Sequence, residues 1–346
     1  MQYEILPQID EKVSKICLGT MTWGQQNNET QAHAQMAMAL GEGVNFWDTA
    51  EMYPSPPDKD KQGSTERYIG TWFHKNKQRD KVILASKMSP MSFLRDGQSR
   101  YNAKHISAAI DGNLERLQTD YIDIYQLHWP ERQANFFSQR GYNEQMAAQS
   151  LADLTPFLET IQALNDEIKK GRIRAYGLSN DTAWGLMRYL WEADKNGLIA
   201  PITVQNPYSL LNRLYEVGMA EIAHREQVGL LAYSPLGFGV LSGKYLDGKR
   251  PIGARLTQFD HYSRYINEQA QIATAEYANI AADAGLDMAQ MALAFVNTRP
   301  FVTSNIIGAT NTEQLQANID SVNLTLSADV LAAIEAVHTR QPNPAP

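Results

Sequence analysis

The chain has 346 residues, of which 43% are hydrophobic and 20% charged, and its net charge is −7. This composition is typical of a globular protein with a full-sized core. The acidic balance argues against nucleic-acid and anionic-membrane partners, because both are bound through basic residues. The single cysteine, Cys17, permits neither an internal disulfide nor a thiolate metal cluster, which fits a cytoplasmic protein.

Segments that would direct the chain to a membrane or bind a metal are not predicted. The first residues, MQYEILPQID, contain no basic stretch leading into an apolar run, so we expect no signal peptide. No later apolar run approaches the length of a membrane span. The seven histidines are scattered and none is paired at ligand spacing, so no metal site is expected.

Strand-like and helix-like runs alternate along the chain, which is the pattern of a parallel sheet joined by crossover helices. The predicted strands are KICLGT (15–20), VNFWD (44–48), KVILASK (81–87), YIDIYQLHW (121–129), IRAYGLSN (173–180), PITVQNPY (201–208), VGLLAYSP (228–235) and SNIIGAT (304–310). Eight such units without a Pro-, Gly- or Ser-rich linker predict a single-domain (β/α)8 TIM barrel over residues 1–340.

Periodic segments between and after these strands predict helices. In PFLETIQALNDEIKKG, Pro156 is expected to begin the helix and Gly171 to end it. Other helices are predicted at ETQAHAQMAMALGEG, KHISAAIDGNLERL, TAWGLMRYLWEADKNG, 267–284, 288–297 and 326–340, the last outside the barrel. The tail QPNPAP, residues 341–346, is expected to be disordered.

Three connections are longer than barrel geometry requires, at 54–63, about 130–152 and 236–266. Connections of this length in a compact domain have a functional role or are mobile. The part at 131–150 follows His128 directly and carries Phe136 and Phe137, so we interpret it as a substrate lid. Aromatic residues that would line the mouth, unless they only pack in the core, are Trp23, Tyr53, Trp129, Phe136 and Phe137.

Four reactive side chains lie at or just beyond the ends of three neighbouring strands, which is where barrels carry their active sites. Asp48 ends the second predicted strand, and Tyr53 comes five positions later. Lys87 ends the third strand, and His128 lies near the end of the fourth. Taken singly, they have ordinary interpretations as a turn cap, a packing tyrosine, a solvated lysine and a core histidine. Their joint placement favours an active site that transfers protons.

The chemistry of this set suits carbonyl reduction. A tyrosine has a pKa of about 10, and a neighbouring ammonium is expected to lower it. Lys87 would do so, Asp48 would hold Lys87 charged, and a neutral His128 would direct the substrate oxygen toward the proton donor Tyr53. An alternative is a Schiff-base aldolase with Lys87 as nucleophile.

Because no side chain delivers hydride, carbonyl reduction requires a nicotinamide cofactor. The segment GFGVLSG lacks the GxGxxG spacing of a Rossmann fold. Barrels instead bind phosphate at the loops after strands seven and eight, near a helix N-terminus. Here these are SPLGFGVLSGK (234–244) and IIGATNTEQLQANI (306–319), the latter with a predicted capping box of Thr310 and Glu313. An ordinary glycine-rich turn and an ordinary capped helix remain alternatives.

Polar groups on and after the central strands suit the nicotinamide end of such a cofactor. Ser179, Asn180 and Gln205 offer hydroxyl and amide groups to a carboxamide, and Tyr233 offers a ring for stacking.

With these motifs in place, the chain resembles an aldo-keto reductase across nearly its whole length. The matching segments are LGTMTWG (18–24), DTAEMY, SKM, QLHWP, GLSN, QNPYSLL, YSPLGFGVLSGKY and IIGATNTEQLQAN. The resemblance implies a (β/α)8 barrel that reduces a small-molecule carbonyl with NADP(H), and a tetrad of Asp48, Tyr53, Lys87 and His128. The implied cofactor contacts are Thr20, Met21, Asp48, Ser179, Asn180, Gln205, Tyr233, Ser234, Pro235, Leu236, Gly237, Gly239, Leu241, Ser242, Lys244, Arg255, Gly308, Thr310, Gln314 and Asn318.

The sequence also departs from many reductases of this family. Gly308 and Ala309 stand where those enzymes carry a Lys-Ser pair that binds the 2′-phosphate, and Ala317 replaces a glutamate. The chain is thus more similar to the branch that includes potassium-channel β subunits. That branch supplies a second alternative, a redox-sensing regulatory subunit with little turnover. NADP(H) remains the expected cofactor, because Lys244 and Arg255 flank the loop after strand seven.

Overall fold

A computed structural model describes residues 1–90, 95, 100–137, 139, 141–142, 144–259 and 262–346. Its strands are β1 (Tyr3–Leu6), β2 (Glu11–Ser14), β3 (Ile16–Gly19), β4 (Phe46–Asp48), β5 (Ile83–Met88), β6 (Ile122–Leu127), β7 (Ile173–Ser179), β8 (Thr203–Pro207), β9 (Gly229–Tyr233) and β10 (Val302–Ile307). The eight strands β3 to β10 pair in parallel, and β10 closes the barrel on β3. The fold is therefore the predicted (β/α)8 TIM barrel, and each predicted strand overlaps one barrel strand.

Helices surround the barrel. They are α1 (Glu29–Gly41), α2 (Ser64–Asn76), α3 (Ala103–Leu117), α4 (Glu144–Ala148), α5 (Phe157–Lys169), α6 (Ala183–Lys195), α7 (Met219–Glu226), α8 (Arg255–Gln258), α9 (Glu268–Asp283), α10 (Met288–Asn297), α11 (Thr312–Asp320) and α12 (Ala328–Arg340). Pro156 is the N-cap of α5, and Gly171 follows the helix with φ +74°, as the sequence predicts. Among the described residues, no helix is both long and apolar enough to cross a membrane.

The buried side chains form two layers, because parallel barrel strands are covered on both faces. Residues that point inward form a small core that includes Phe46, Ile124 and Leu231. Residues that point outward pack against the helices in a much larger core. Because the interior of the barrel is filled with side chains, its strands are rigid. They therefore hold the side chains at their carboxyl ends in fixed positions.

An antiparallel hairpin of β1 and β2, which sequence analysis did not predict, precedes the barrel. Leu6 and Val13 of the hairpin are buried and belong to the inner core. Asn45 fastens the hairpin to the barrel, since its side chain accepts from Ser14 N at 2.8 Å and donates to Lys12 O at 2.7 Å. The hairpin thus closes the end of the barrel at which the strands begin.

The C-terminal tail is ordered, so the expectation of a disordered segment at 341–346 is wrong. Ala345 N donates to Leu211 O at 3.0 Å, and Arg264 Nε donates to Pro346 O at 2.8 Å. The last three residues are buried. Composition alone suggested disorder, but backbone hydrogen bonds to distant loops hold the tail against the protein.

Candidate active site

The four predicted catalytic side chains meet at the carboxyl ends of β4, β5 and β6. Lys87 is fully buried, and its Nζ lies 2.6 Å from Asp48 Oδ2 and 3.2 Å from the Tyr53 hydroxyl. The rings of Tyr53 and His128 lie 5.8 Å apart, edge to face. The lysine therefore links the carboxylate to the phenol, and the imidazole lies beside the phenol.

The environment keeps Lys87 charged and Tyr53 protonated. Burial by itself would lower the pKa of Lys87, but Asp48 and Tyr53 together raise it above its ordinary value. Burial raises the pKa of Tyr53, and the nearby Lys87 ammonium offsets only part of that rise. The expectation that Lys87 lowers the pKa of Tyr53 overall is therefore wrong, because the cost of burying a phenolate is larger. Tyr53 accordingly holds its proton at neutral pH.

The second oxygen of Asp48 accepts two hydrogen bonds from amides. Gln126 Nε2 lies 3.0 Å and Gln205 Nε2 2.7 Å from Asp48 Oδ1. Gln205 was predicted as a cofactor ligand, whereas Gln126 was missed. It lies on β6 two residues before His128 and points into the barrel as His128 does, so the alternation of side chains along a strand was the available signal. Both oxygens of the buried carboxylate thus accept hydrogen bonds from side chains.

His128 is held by side chains that follow β5 and β7. Its Nδ1 lies 3.1 Å from Ser89 Oγ, and its carbonyl accepts from Asn180 Nδ2 at 2.9 Å. The Tyr233 hydroxyl donates to Asn180 Oδ1 at 2.6 Å, which ties the ends of β6, β7 and β9 together. Burial lowers the pKa of His128 well below its usual range, and the Lys87 charge lowers it further. The ring is therefore neutral at physiological pH.

A large cleft of about 1290 Å³ opens over these residues. Most of the predicted cofactor contacts line it, namely Thr20, Met21, Asp48, Asn180, Gln205, Tyr233, Ser234, Pro235, Leu236, Gly239, Ser242, Lys244, Arg255, Gly308, Thr310, Gln314 and Asn318. Ser179, Gly237 and Leu241 do not line the cleft. The Ser179 hydroxyl donates to Gln205 O at 2.9 Å, and Leu241 is a core residue.

Two cationic side chains face the cleft from the segment after β9. Burial lowers the pKa of Lys244, and the charge of Arg255 lowers it further. Burial also lowers the pKa of Arg255. Within the described part of the chain, neither cation forms a salt bridge, and Arg255 instead contacts Met21 Sδ and the ring of Phe238. Two close, partly desolvated cations without a carboxylate form a site suited to an anion such as a phosphate.

The helix after β10 begins differently from the prediction. Asn311, and not Thr310, is the N-cap of α11, and its side chain accepts from Gln314 N at 2.8 Å. Gln314 Oε1 accepts from both the backbone N and the hydroxyl of Thr310. The predicted capping box of Thr310 and Glu313 is therefore wrong, because Asn311, one position later, caps the helix instead. Glu313 is exposed and lines a separate surface groove.

Two of the aromatic residues predicted at the mouth lie elsewhere. Trp23 is fully buried, and its Nε1 donates to Gln35 Oε1 at 3.1 Å, so it is a core residue. Phe136 does not line the cleft, although it contacts Phe137. Trp129 and Phe137 do line the cleft, with their rings 5.7 Å apart. Residues 138, 140 and 143 of the predicted lid lie outside the described residues.

The geometry also bears on the aldolase alternative. A Schiff-base lysine must be a neutral amine to attack a carbonyl. Lys87 is held as an ammonium by Asp48, and it donates to Thr49 O at 2.9 Å as well. Its surroundings therefore disfavour nucleophilic attack and favour a role as a fixed positive charge.

Comparison with known proteins agrees with this architecture. The model of the aldo/keto reductase family matches residues 15–339. "Protein tas" of Escherichia coli (strain K12) is 51% identical, with all of both chains covered. "Uncharacterized oxidoreductase YrpG" of Bacillus subtilis (strain 168) is 31% identical, over 97% of this chain and 96% of the relative.

Relatives in the expected branch are present too. A protein of Oryza sativa subsp. japonica named "Probable voltage-gated potassium channel subunit beta" is 29% identical, over 99% of this chain and 98% of the relative. The family match and the relative named as an oxidoreductase support oxidation–reduction as the general activity. The chain belongs to the aldo/keto reductase family.

Proposed function

We propose that the protein is an NADP(H)-dependent oxidoreductase that reduces an aldehyde or ketone to an alcohol. The observation that carries this proposal is the position of Lys87 Nζ, which contacts Asp48 Oδ2 and the Tyr53 hydroxyl at once, below an open cleft. A protonated phenol beside a fixed ammonium can give its proton to a substrate oxygen, and the ammonium then stabilises the phenolate. Neutral His128 donates a hydrogen bond to the same oxygen.

The cofactor assignment rests on the donor groups of the cleft. Lys244 and Arg255 would bind phosphate groups, with help from the N-terminus of α11. Asn180 and Gln205 would bind the carboxamide, and Tyr233 would lie against the nicotinamide ring. When bound, the reduced nicotinamide supplies the hydride that no side chain can provide.

The choice of NADP(H) over NAD(H) follows from charge. A ribose with a free 2′-hydroxyl is commonly bound by an acid, whereas a 2′-phosphate requires cations or donors. Glu313 does not line the cleft. Asp287, an acid that sequence analysis overlooked, does line it, but its carboxylate caps α10 by accepting from Gln290 N at 2.9 Å.

Relatives named as channel β subunits support a second candidate function, a cofactor-binding regulatory subunit with little turnover. One experiment separates the two. Fluorescence titration with NADPH and NADH measures both affinities, and NADPH oxidation is then followed over a panel of aldehydes, ketones and quinones. Tight NADPH binding with multiple turnovers supports the reductase. Tight binding with slow turnover on every compound supports the regulatory subunit, and the absence of nucleotide binding contradicts both.

A further inference from the structure

A second polar cluster lies beside the histidine of the tetrad. The Ser89 backbone N–H donates to Glu51 Oε1 at 2.8 Å, and Ser89 Oγ lies 3.1 Å from His128 Nδ1. Glu51 is fully buried and forms a salt bridge with Arg95. Arg95 Nη2 also donates to Ser89 O at 3.2 Å. Both backbone polar groups of Ser89 are thus anchored, which leaves its hydroxyl little freedom to move away from the imidazole.

The Ser89 hydroxyl has one proton and two possible acceptors. They are His128 Nδ1 at 3.1 Å and Met52 Sδ at 3.2 Å. A thioether is a weak acceptor, whereas an unprotonated imidazole nitrogen is a strong one. Donation to an unprotonated Nδ1 is therefore the stronger of the two bonds open to the hydroxyl. A neutral imidazole carries one proton, so the proton of His128 must then be on Nε2.

We propose that Ser89 is a positioning residue that holds His128 in the tautomer with its proton on Nε2, so that the ring donates to a carbonyl oxygen in the cleft. The benefit to carbonyl reduction rests on the function proposed above, whereas the tautomer itself does not. His128 lines the cleft, and its Nε2 has no hydrogen-bond partner among the described residues. The opposite tautomer would present a lone pair at Nε2, which would repel a carbonyl oxygen.

The tautomer is directly measurable. In 15N-labelled protein, heteronuclear NMR distinguishes protonated from unprotonated ring nitrogens, and the signals of His128 are assigned by their loss in His128→Gln. We expect Nδ1 to be unprotonated and Nε2 protonated. In Ser89→Ala both signals should move toward values of a mixture of tautomers, and in Ser89→Thr, which keeps the hydroxyl, they should stay as in the parent.

Two further variants test whether the effect is specific to the Ser89 hydroxyl and which acceptor that hydroxyl uses. Ser86→Ala is the matched control, because Ser86 is also buried, lies on β5 just before Ser89 and donates to Glu66 instead. It should leave the His128 signals unchanged. Met52→Leu removes the competing acceptor, so unchanged His128 signals support donation to Nδ1, and a change of tautomer would show that Ser89 donates to Met52.

Kinetics complete the test. Ser89→Ala should lower kcat about tenfold, the scale of one lost hydrogen bond, without changing the affinity for NADPH, and Ser89→Thr should restore kcat. A protonated Nδ1 in the parent, or identical ring signals in Ser89→Ala, would overturn the proposal. If the ring signals behave as expected but the parent protein turns over no carbonyl compound, the tautomer stands and the reductase function fails.

Discussion

The cationic site below the cleft and the cationic site that lines it are built in opposite ways. Lys87 is fully buried and paired with Asp48, and this pairing raises its pKa despite burial. Lys244 has Arg255 as its charged neighbour, so burial and repulsion both lower its pKa. The first cation is part of the folded structure, since its charge is compensated within the chain. Among the described residues Lys244 has no carboxylate partner, so a bound anion would compensate its charge, as expected of the ligand site proposed above.

The largest expected effect is on the free energy of unfolding, and it tests the difference between Lys87 and Lys244. Lys87→Met leaves Asp48 as a buried charge without its cation, so we expect the free energy of unfolding to fall by about 3–5 kcal/mol. Lys244→Met removes a repelled cation, and it should change stability by no more than about 0.5 kcal/mol or raise it. Urea unfolding of both variants measures the contrast. Equal losses would mean that Lys244 has a structural partner as well.

The second prediction concerns the phenol that Lys87 supports. Tyr53→Phe removes the proposed proton donor but keeps the ring, so turnover should fall at least ~10²-fold while NADPH affinity stays nearly constant. Steady-state kinetics measure the turnover, and fluorescence titration measures the NADPH affinity. A phenylalanine variant that retains half of the parent rate would rule out Tyr53 as the acid.

The third prediction addresses the cations of the segment after β9. Arg255→Ala should weaken NADPH binding by about 1.5–3 kcal/mol, the range for a charge-assisted hydrogen bond, and should barely affect NADH. Arg250→Ala is the matched control, because Arg250 is exposed in the same segment and does not line the cleft. Equal losses for both cofactors would assign Arg255 to the shared pyrophosphate, and no loss would make it an ordinary surface arginine.

The fourth prediction uses the neutral imidazole of the candidate active site. The pKa of His128 is lowered in the folded protein, so below the unfolded value of about 6.5 the unfolded chain binds a proton that the folded protein does not. Stability should therefore fall with decreasing pH, by about 1.4 kcal/mol per pH unit for this group. Unfolding at pH 7.5 and pH 5.5 should show a smaller loss for His128→Gln than for the parent. A control at the exposed His74, His74→Gln, should behave as the parent does.

The smallest effect is expected at the mouth of the cleft. Phe137 is half exposed, with 49% of its surface accessible, and its ring contacts Trp129. Phe137→Ala should raise the KM for aromatic carbonyls by less than about tenfold, since one aromatic contact contributes about 0.5–1.5 kcal/mol. NADPH affinity should not change. An unaltered KM over the whole substrate panel would argue against a lid at 131–150.

The order of elements and the meeting of the four candidate catalytic side chains could be predicted from the sequence alone. Barrel strands are short apolar runs in regular alternation with amphipathic helices, and both patterns are local. Asp48, Lys87 and His128 were identified because parallel strands place their carboxyl ends on one rim, so position along a strand is enough to predict proximity. The same logic did not extend to Gln126 and Ser89, whose roles depend on which atom of another side chain they reach.

Only the tertiary structure decided the features that depend on distant contacts. The hairpin of β1 and β2 and the ordered tail are stabilised by hydrogen bonds and burial against remote segments, which no local pattern reveals. The N-cap of α11 depended on backbone geometry that separates Asn311 from Thr310. The protonation of Tyr53 is a balance between burial and the charge of Lys87, and the sequence specifies the residues but not the degree of burial that determines the sign.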